Sequence, residues 1–203
     1  MCCRYYVEMS PELRPIVEEM NRSPLVRRFH EHTAVLSSGE IRPTNVAPVI
    51  ASSRNGKRAV FPMRWGFTVP GRPLLINARA ETAGEKPMFR EAWAAHRCIV
   101  PASWYFEWEH RIRNDGKKET GDKYMIQPEG SAAVWMCGLY RMEEGLPAFV
   151  ILTREAGEGI RFIHDRMPLI LPEDRINEWI RPESRADELI PLARTDMVFE
   201  KAG

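Results

Sequence analysis

The stretch Val46-Ala47-Pro48-Val49-Ile50-Ala51-Ser52-Ser53-Arg54-Asn55-Gly56-Lys57-Arg58-Ala59-Val60-Phe61-Pro62-Met63-Arg64-Trp65-Gly66-Phe67 sets two β-rich runs on either side of an Asn-Gly pair. Asn and Gly are the residues that best tolerate positive φ, so the pair predicts a type I′ turn joining strands over 46–52 and 57–67. Further strands are expected near 98–101, 104–111, 123–127, 133–141 and 148–153. Asn114-Asp115-Gly116 and Glu143-Glu144-Gly145 supply turn chemistry between some of them. Helices interrupt the strands without a βαβ rhythm. Ser10-Pro11-Glu12 opens one that carries Leu13, Ile16, Val17 and Met20 on one face, with Pro15 costing a hydrogen bond near its first turn. Ser23-Pro24 opens a second, residues 86–96 form a third that packs Phe89 and Trp93, and Pro172-Glu173-Asp174 begins a late one carrying Ile176, Trp179 and Ile180. The expectation is one α+β domain over 1–203, with a mostly antiparallel sheet curled toward an open barrel and flanked by helices.

Composition narrows the function classes. In 203 residues, 44% hydrophobic and 28% charged, wholesale disorder is excluded and a core large enough to need no disulfide staple is expected. No apolar run approaches the roughly 20 residues of a membrane span. Met1-Cys2-Cys3-Arg4-Tyr5-Tyr6 lacks a signal-peptide core, so a cytosolic address with four free thiols is expected. Net charge is only +1, so a nucleic-acid groove would be a local patch; 23 of the 29 basic residues are Arg, the residue suited to bidentate phosphate contacts, although genomic base composition accounts for that equally well.

Cys2 is the most informative position. A small residue after the initiator favours removal of Met1, which leaves an α-amine and a thiol on adjacent carbons. Their unperturbed pKa values of about 7.7–8 and about 8.5 predict partial ionisation near neutral pH, and a 1,2-aminothiol condenses with an aldehyde to a thiazolidine. The alternative is a tolerated terminal cysteine. Cys3, Cys98 and Cys137 lie beside apolar residues, as small core hydrophobes do. Cys2-Cys3 and His30-x-His32 do not have the spacing of a zinc set, so no metal and no cofactor is expected. Glu107, in Trp104-Tyr105-Phe106-Glu107-Trp108, is either a desolvated proton-transfer group or part of a solvated outer face with Glu109; the alternation leans to the solvated face. His164 is a general acid or base, or a structural histidine. Asn77, Arg79 and Glu81 alternate, so an extended backbone projects all three to one side.

In order, Met1-Cys2-x-Arg4, Thr44-Asn45-Val46-Ala47-Pro48, Arg64-Trp65-Gly66-Phe67, Leu75-Ile76-Asn77-Ala78-Arg79-Ala80-Glu81-Thr82, Arg97-Cys98-Ile99-Val100-Pro101-Ala102, Phe106-Glu107-Trp108 and Ile163-His164-Asp165-Arg166-Met167-Pro168 resemble the blocks of the SOS response-associated peptidase (SRAP) family. The resemblance spans residue 2 to about 171. It implies covalent trapping of abasic sites in single-stranded DNA; a monomer is the default expectation, and no membrane partner is expected. Cys2 matches the nucleophile, Asn77 the residue that positions it, Glu107 the proton-transfer carboxylate and His164 the group assisting ring opening. Arg4, Arg79 and Arg166 match phosphate or lesion contacts, while Pro48, Trp108 and Thr153 match residues lining the DNA path. Cys3 and Trp104 stand where the family usually has Gly, Val69-Pro70-Gly71-Arg72-Pro73 is shorter than the family loop, and no role carries over beyond about Pro191. Two other functions fit the same residues: a thiol peptidase built from Cys2, His164 and Asn77, whose least activity is removal of Met1, and a non-covalent binder of single-stranded nucleic acid.

Overall fold

The computed structural model describes residues 2–30, 35–112 and 115–202. In chain order the main elements are β1 (Arg4–Val7), α1 (Arg14–Asn21), α2 (Leu25–His30), β2 (Gly39–Ile41), β3 (Val46–Ser52), β4 (Arg58–Trp65), β5 (Asn77–Arg79), α3 (Ala80–Ala83), α4 (Pro87–Ala95), β6 (Arg97–Ala102), β7 (Trp104–Ile112), β8 (Lys118–Pro128), β9 (Val134–Glu143), β10 (Leu146–Glu155), β11 (Arg166–Pro168), α5 (Ile176–Trp179), α6 (Ala186–Leu189) and β12 (Met197–Lys201).

Five strands close into a ring, β10-β4-β3-β6-β9, because β9 pairs back onto β10. All of these pairings are antiparallel except β10 with β4, where Ala148 and Phe149 lie parallel to Arg64 and Trp65. That contact makes the expected curled sheet a closed barrel. β3 is buried on both faces through Val46–Ala51, since one face fills the ring and α1 covers the sheet with Ile16, Val17 and Met20. The ring is too tight for any side chain at Gly138, whose added Cβ would sit 2.8 Å from the Val150 carbonyl. β5 and β11 extend the barrel along the far half of β10.

A second, antiparallel sheet runs β12-β8-β7-β1-β2. The chain passes from β6 into β7 through Ser103, whose N–H donates to the Tyr6 carbonyl at 2.7 Å and whose Oγ accepts from the Glu8 N–H at 2.9 Å. This corner brings the sheet against the barrel, and the seam is aromatic: Tyr5 packs on Trp65 at 5.1 Å between centroids, and Trp65 stacks on Phe149 at 6.1 Å.

Several local expectations change. The Asn55-Gly56 turn is not type I′: only Gly56 has positive φ, +71°, and the Gly56 N–H donates to the Ser53 carbonyl in a three-residue loop. The two-residue turn with both φ positive is instead Glu144-Gly145, at +52° and +80°, which joins β9 to β10. Pro15 lies within the first two positions of α1, where no intrahelical bond is lost, because Ser10–Leu13 forms a turn before the helix. The late helix is broken into a 3₁₀ turn at Glu173–Arg175 and the short α5. Asn114, in one of the predicted turns, lies outside the described residues.

Arg97 pins the C-terminal segment. Buried at 4% exposure, its guanidinium donates to the carbonyls of Trp93, Trp179 and Ser184 at 2.9 Å each and to that of Arg181. Burial lowers its pKa without threatening its charge. Replacing it with Met would leave these buried acceptors unpaired, at a cost on the order of 3 kcal/mol. Thermal unfolding of Arg97→Met is therefore expected roughly 6–12 °C below the unsubstituted protein; an unchanged Tm would refute the clamp.

Candidate functional site

β1 pairs with β7 so that Arg4 faces Phe106, Tyr5 faces Tyr105 and Tyr6 faces Trp104. The register delivers the start of the chain to the Glu107-Trp108 end of β7. Trp104, in the usual glycine position, is accommodated by stacking on Tyr6 at 4.7 Å and leaves the strand regular. Cys2 is wholly buried, its Sγ donating to the Arg4 carbonyl at 3.6 Å. Its own carbonyl accepts from Asn77 Nδ2 at 2.8 Å. Asn77 is placed by parallel pairing of β5 with Ile151 of β10, so the barrel reaches across the seam to hold the chain start.

Burial, and next the neighbouring Glu107 carboxylate, push the Cys2 thiol well above its ordinary pKa. The expectation of a partly ionised thiol near neutral pH is thereby corrected: desolvation keeps the proton on sulfur. Cys3 is half-buried rather than a core residue, and the same two causes raise its pKa. Tyr5 and Tyr105 are buried close to Cys2. Their buried hydroxyls find no hydrogen-bond partner among the described residues, and burial followed by the adjacent Cys2 thiol raises both phenols.

Glu107 is 3% exposed, which settles its two readings in favour of the desolvated one. Burial raises its pKa, against the opposing charge of the chain's N-terminal amine and the Trp108 N–H that Oε1 accepts at 3.3 Å. Glu109 is the solvent-side acid, paired with Arg111 at 2.7 Å. Alternation along β7 failed because the second sheet is covered near its β1 end and open farther out.

His164 enters on the turn before β11. It is 7% exposed, and its Nδ1 accepts the Arg166 backbone N–H at 2.9 Å. Asp165 Oδ1 also lies 2.8 Å from Nδ1, a contact that calls for a proton there; the backbone donor is fixed whereas Asp165 is 82% exposed and solvated, so Nδ1 is the acceptor and Nε2 carries the proton. Burial, then the N-terminal charge and the His110 ring at 4.2 Å, lower the His164 pKa to about 4. The imidazole is therefore neutral near pH 7, while the Glu107 carboxyl is biased toward its protonated form. Sequence reasoning missed His110, Tyr5 and Tyr105; the two tyrosines lie a hundred residues apart, and only the β1–β7 register sets them opposite each other.

The other site residues divide by exposure. Arg79 is exposed and, with His110, His164 and Arg166, lines a cleft of about 550 Å³. Arg4 lies over Trp108 at 5.2 Å and pairs with Glu40 at 3.2 Å. Arg166 is held by Glu81 in a bidentate pair at 2.7 and 2.8 Å and donates to the Thr153 carbonyl at 2.7 Å. Glu81 thus leaves the predicted row with Asn77 and Arg79, because β5 ends at Arg79 and α3 begins at Ala80. Thr153 and Pro48 are buried, the latter opposite Pro62 in the barrel wall; as they stand they support the wall and present no surface. Of the predicted non-metal pair, His32 lies outside the described residues. Among the described residues no three His, Cys, Asp or Glu side chains gather as a metal-holding group.

A buried thiol, a carboxyl biased toward its protonated form, an amide anchor and a neutral imidazole lie along the seam between barrel and sheet in this α+β fold. The chain belongs to the SOS response associated peptidase (SRAP) family, whose profile matches residues 1–200. It is 36% identical over 180 residues to the Abasic site processing protein YoaM of Bacillus subtilis (strain 168), covering 78% of this chain and 77% of that one. The Abasic site processing protein YoqW of the same organism is 33% identical over 202 residues, 91% of this chain and 82% of YoqW. The crystal structure of a phage-related protein from Bordetella bronchiseptica superposes with a TM-score of 0.73 at 22% identity, covering 99% and 94% of the two chains, and shows the shared fold.

The two shifted groups give opposite pH signatures. His164 stays neutral in the fold while the unfolded chain protonates near 6.5, so stability falls as pH drops from about 6.5 to about 4. Glu107 keeps its proton in the fold above 4.5, where the unfolded chain has lost it, so stability falls as pH rises from 4.5 through its raised pKa. In Tm measured against pH, Glu107→Gln is expected to remove the second slope and keep the first; an unaltered profile would mean that Glu107 is ionised in the fold.

Proposed function

We propose that this protein, acting through its whole length as a cytosolic monomer, traps abasic sites in single-stranded DNA as a thiazolidine on Cys2 after Met1 has been removed. The observation that carries the reading is the placement of Cys2 against Glu107 with its carbonyl held by Asn77. The names of YoaM and YoqW, both abasic site processing proteins, support the substrate class.

The chemistry balances with one water released. The neutral Cys2 amine adds to the C1′ aldehyde of the ring-opened sugar, forming a C–N bond and a carbinolamine. Its hydroxyl leaves as water with a proton from Glu107, giving a cationic imine that keeps the remaining nitrogen proton. The Cys2 sulfur then forms a bond to the same carbon while the C=N π electrons go to nitrogen. The thiol proton passes to the Glu107 carboxylate, and the imine nitrogen ends as a secondary amine. A thiol kept protonated until this step does not compete with the amine for the aldehyde, and burial raises the Glu107 carboxyl so that it holds a proton to give more readily than an ordinary carboxylate. Asn77 fixes the Cys2 main chain so that the amine and thiol approach one carbon. His164, protonated at Nε2, donates to the sugar oxygen during ring opening and, being neutral, does not repel a cationic imine.

Arg79 is the exposed cation for a phosphate beside the lesion, and Arg4 with Trp108 offers a cation and a ring along the path. Arg166 contacts the lesion from within its Glu81 pair, held in place by Thr153, while Pro48 shapes the wall beneath.

Intact-mass spectrometry tests the reading. Purified protein lacking Met1 should gain the mass of an abasic single-stranded oligonucleotide less one water, and Cys2→Ala should gain none. Asn77→Ala should crosslink at least ten-fold more slowly while binding the oligonucleotide. A fully active protein that retains Met1 would overturn the mechanism.

A further inference from the structure

Next to His164 lies a group of rings that none of the proposed chemistry uses. Phe162, two residues before His164, is a large apolar side chain left 51% exposed. Its ring meets Tyr124 of β8 edge-on, with centroids 5.8 Å apart at 86°, and Phe199 of β12 at 5.2 Å and 66°. Tyr124 and Phe199 are themselves 5.6 Å apart at 80°. Each contact in this triangle is edge-to-face, the geometry that the ring quadrupoles favour. Phe162 is therefore buttressed from the side of the second sheet while half its surface stays open.

The open part belongs to the cleft that also holds Arg79, Arg161, His110 and His164. Arg161 is 61% exposed and 3.9 Å from Glu155, too long and too solvated a pair to fix it. An exposed ring of this size at the mouth of a site, bracketed by two accessible guanidinium groups, matches one chemistry well: a flat π-surface attached to an anionic backbone. Among the described residues that line the cleft, Asp165 is the one acid, and its side chain is 82% exposed. A purely apolar partner would leave the arginines unmatched, and an acidic peptide would leave the ring without a stacking partner.

We infer that Phe162, braced by Tyr124 and Phe199, is a stacking platform for a nucleobase of the strand whose abasic sugar enters the Cys2–His164 site. This rests on the proposed DNA substrate and adds a base-binding subsite to it. It also gives β12 a role: Phe199 pairs with Ile126 in the sheet and supplies the second brace. The base held there is a neighbour of the lesion, since the lesion has no base of its own, and stacking fixes where along the strand the sugar stands relative to Arg79. Because every base has a π-face, the subsite tolerates any sequence.

The experiment uses the whole protein and a fluorescein-labelled single strand with a tetrahydrofuran abasic analogue, which cannot react, and 2-aminopurine on one or the other side of it. Losing one base–aromatic stack of about 1–3 kcal/mol, Phe162→Ala should bind roughly five- to one-hundred-fold more weakly by anisotropy. Its salt dependence should be unchanged, because no phosphate contact is removed. At saturation, 2-aminopurine on one side should be quenched by the unsubstituted protein and by Phe162→Tyr but not by Phe162→Ala. Phe199→Ala should show a smaller loss in the same direction. Equal affinity and equal quenching in Phe162→Ala, with its Tm retained, would overturn the platform, as would no binding by the unsubstituted protein. A protein that quenches through Phe162 yet forms no crosslink with a true abasic strand keeps the platform and discards the covalent reading; one that crosslinks with no Phe162 dependence does the reverse.

Discussion

The site depends on the short antiparallel pairing of Arg4–Tyr6 with Trp104–Phe106. Without it, Cys2 would belong to a loose, solvated terminus with no fixed neighbour. With it, the chain start lies over Tyr5, Tyr105 and Trp65, and Asn77 reaches across from β5 to fix the Cys2 carbonyl. Every unusual property of the site follows from that placement. The thiol is dry because the aromatic seam covers it, the Glu107 carboxyl is pushed up because the same cover removes its water, and His164 is neutral because it closes the remaining side.

The two architectural parts do different work. The barrel is rigid, with strands buried on both faces and a glycine at Gly138 where the ring admits no side chain. It supplies positioning groups, Asn77 and Arg166, from strands attached to one edge of β10 or the other. The second sheet carries Glu107 and the exposed rings, and Cys2 lies just before its strand β1. The barrel side thus holds the Cys2 carbonyl through Asn77 and carries His164, while Cys2 and Glu107 lie on the side of the covered sheet.

Much of this was legible in the sequence, and the failures have physical causes. The run Val46–Ser52 reads as a strand because continuous apolar residues mark burial on both faces, and the ordered blocks from Cys2 to Pro168 carried the family resemblance. Asn55-Gly56 misled on turn type because dipeptide preference is blind to loop length, whereas Glu144-Gly145 takes the tight turn despite its acidic first residue. The three-residue β5 and β11 carry too few residues for any periodicity. Glu107 was unreadable for another reason: alternation shows which side chains share a face, and what covers that face is decided by β1, far off in the chain. The burial of Pro48 and Thr153 is likewise a tertiary fact, invisible in a motif.

The turn at Glu144-Gly145 sets an order in time. It joins β9 and β10 with the shortest closure in the barrel, whereas β1 must find β7 across a hundred residues. Loop-closure entropy favours the hairpin early and the chain start late. Cys2, Asn77, Glu107 and His164 come from four distant places, so they meet only when the last strand docks. A half-folded or partly synthesised chain consequently carries Cys2 in water, apart from Asn77, Glu107 and His164, and the assembled site arrives together with the completed fold.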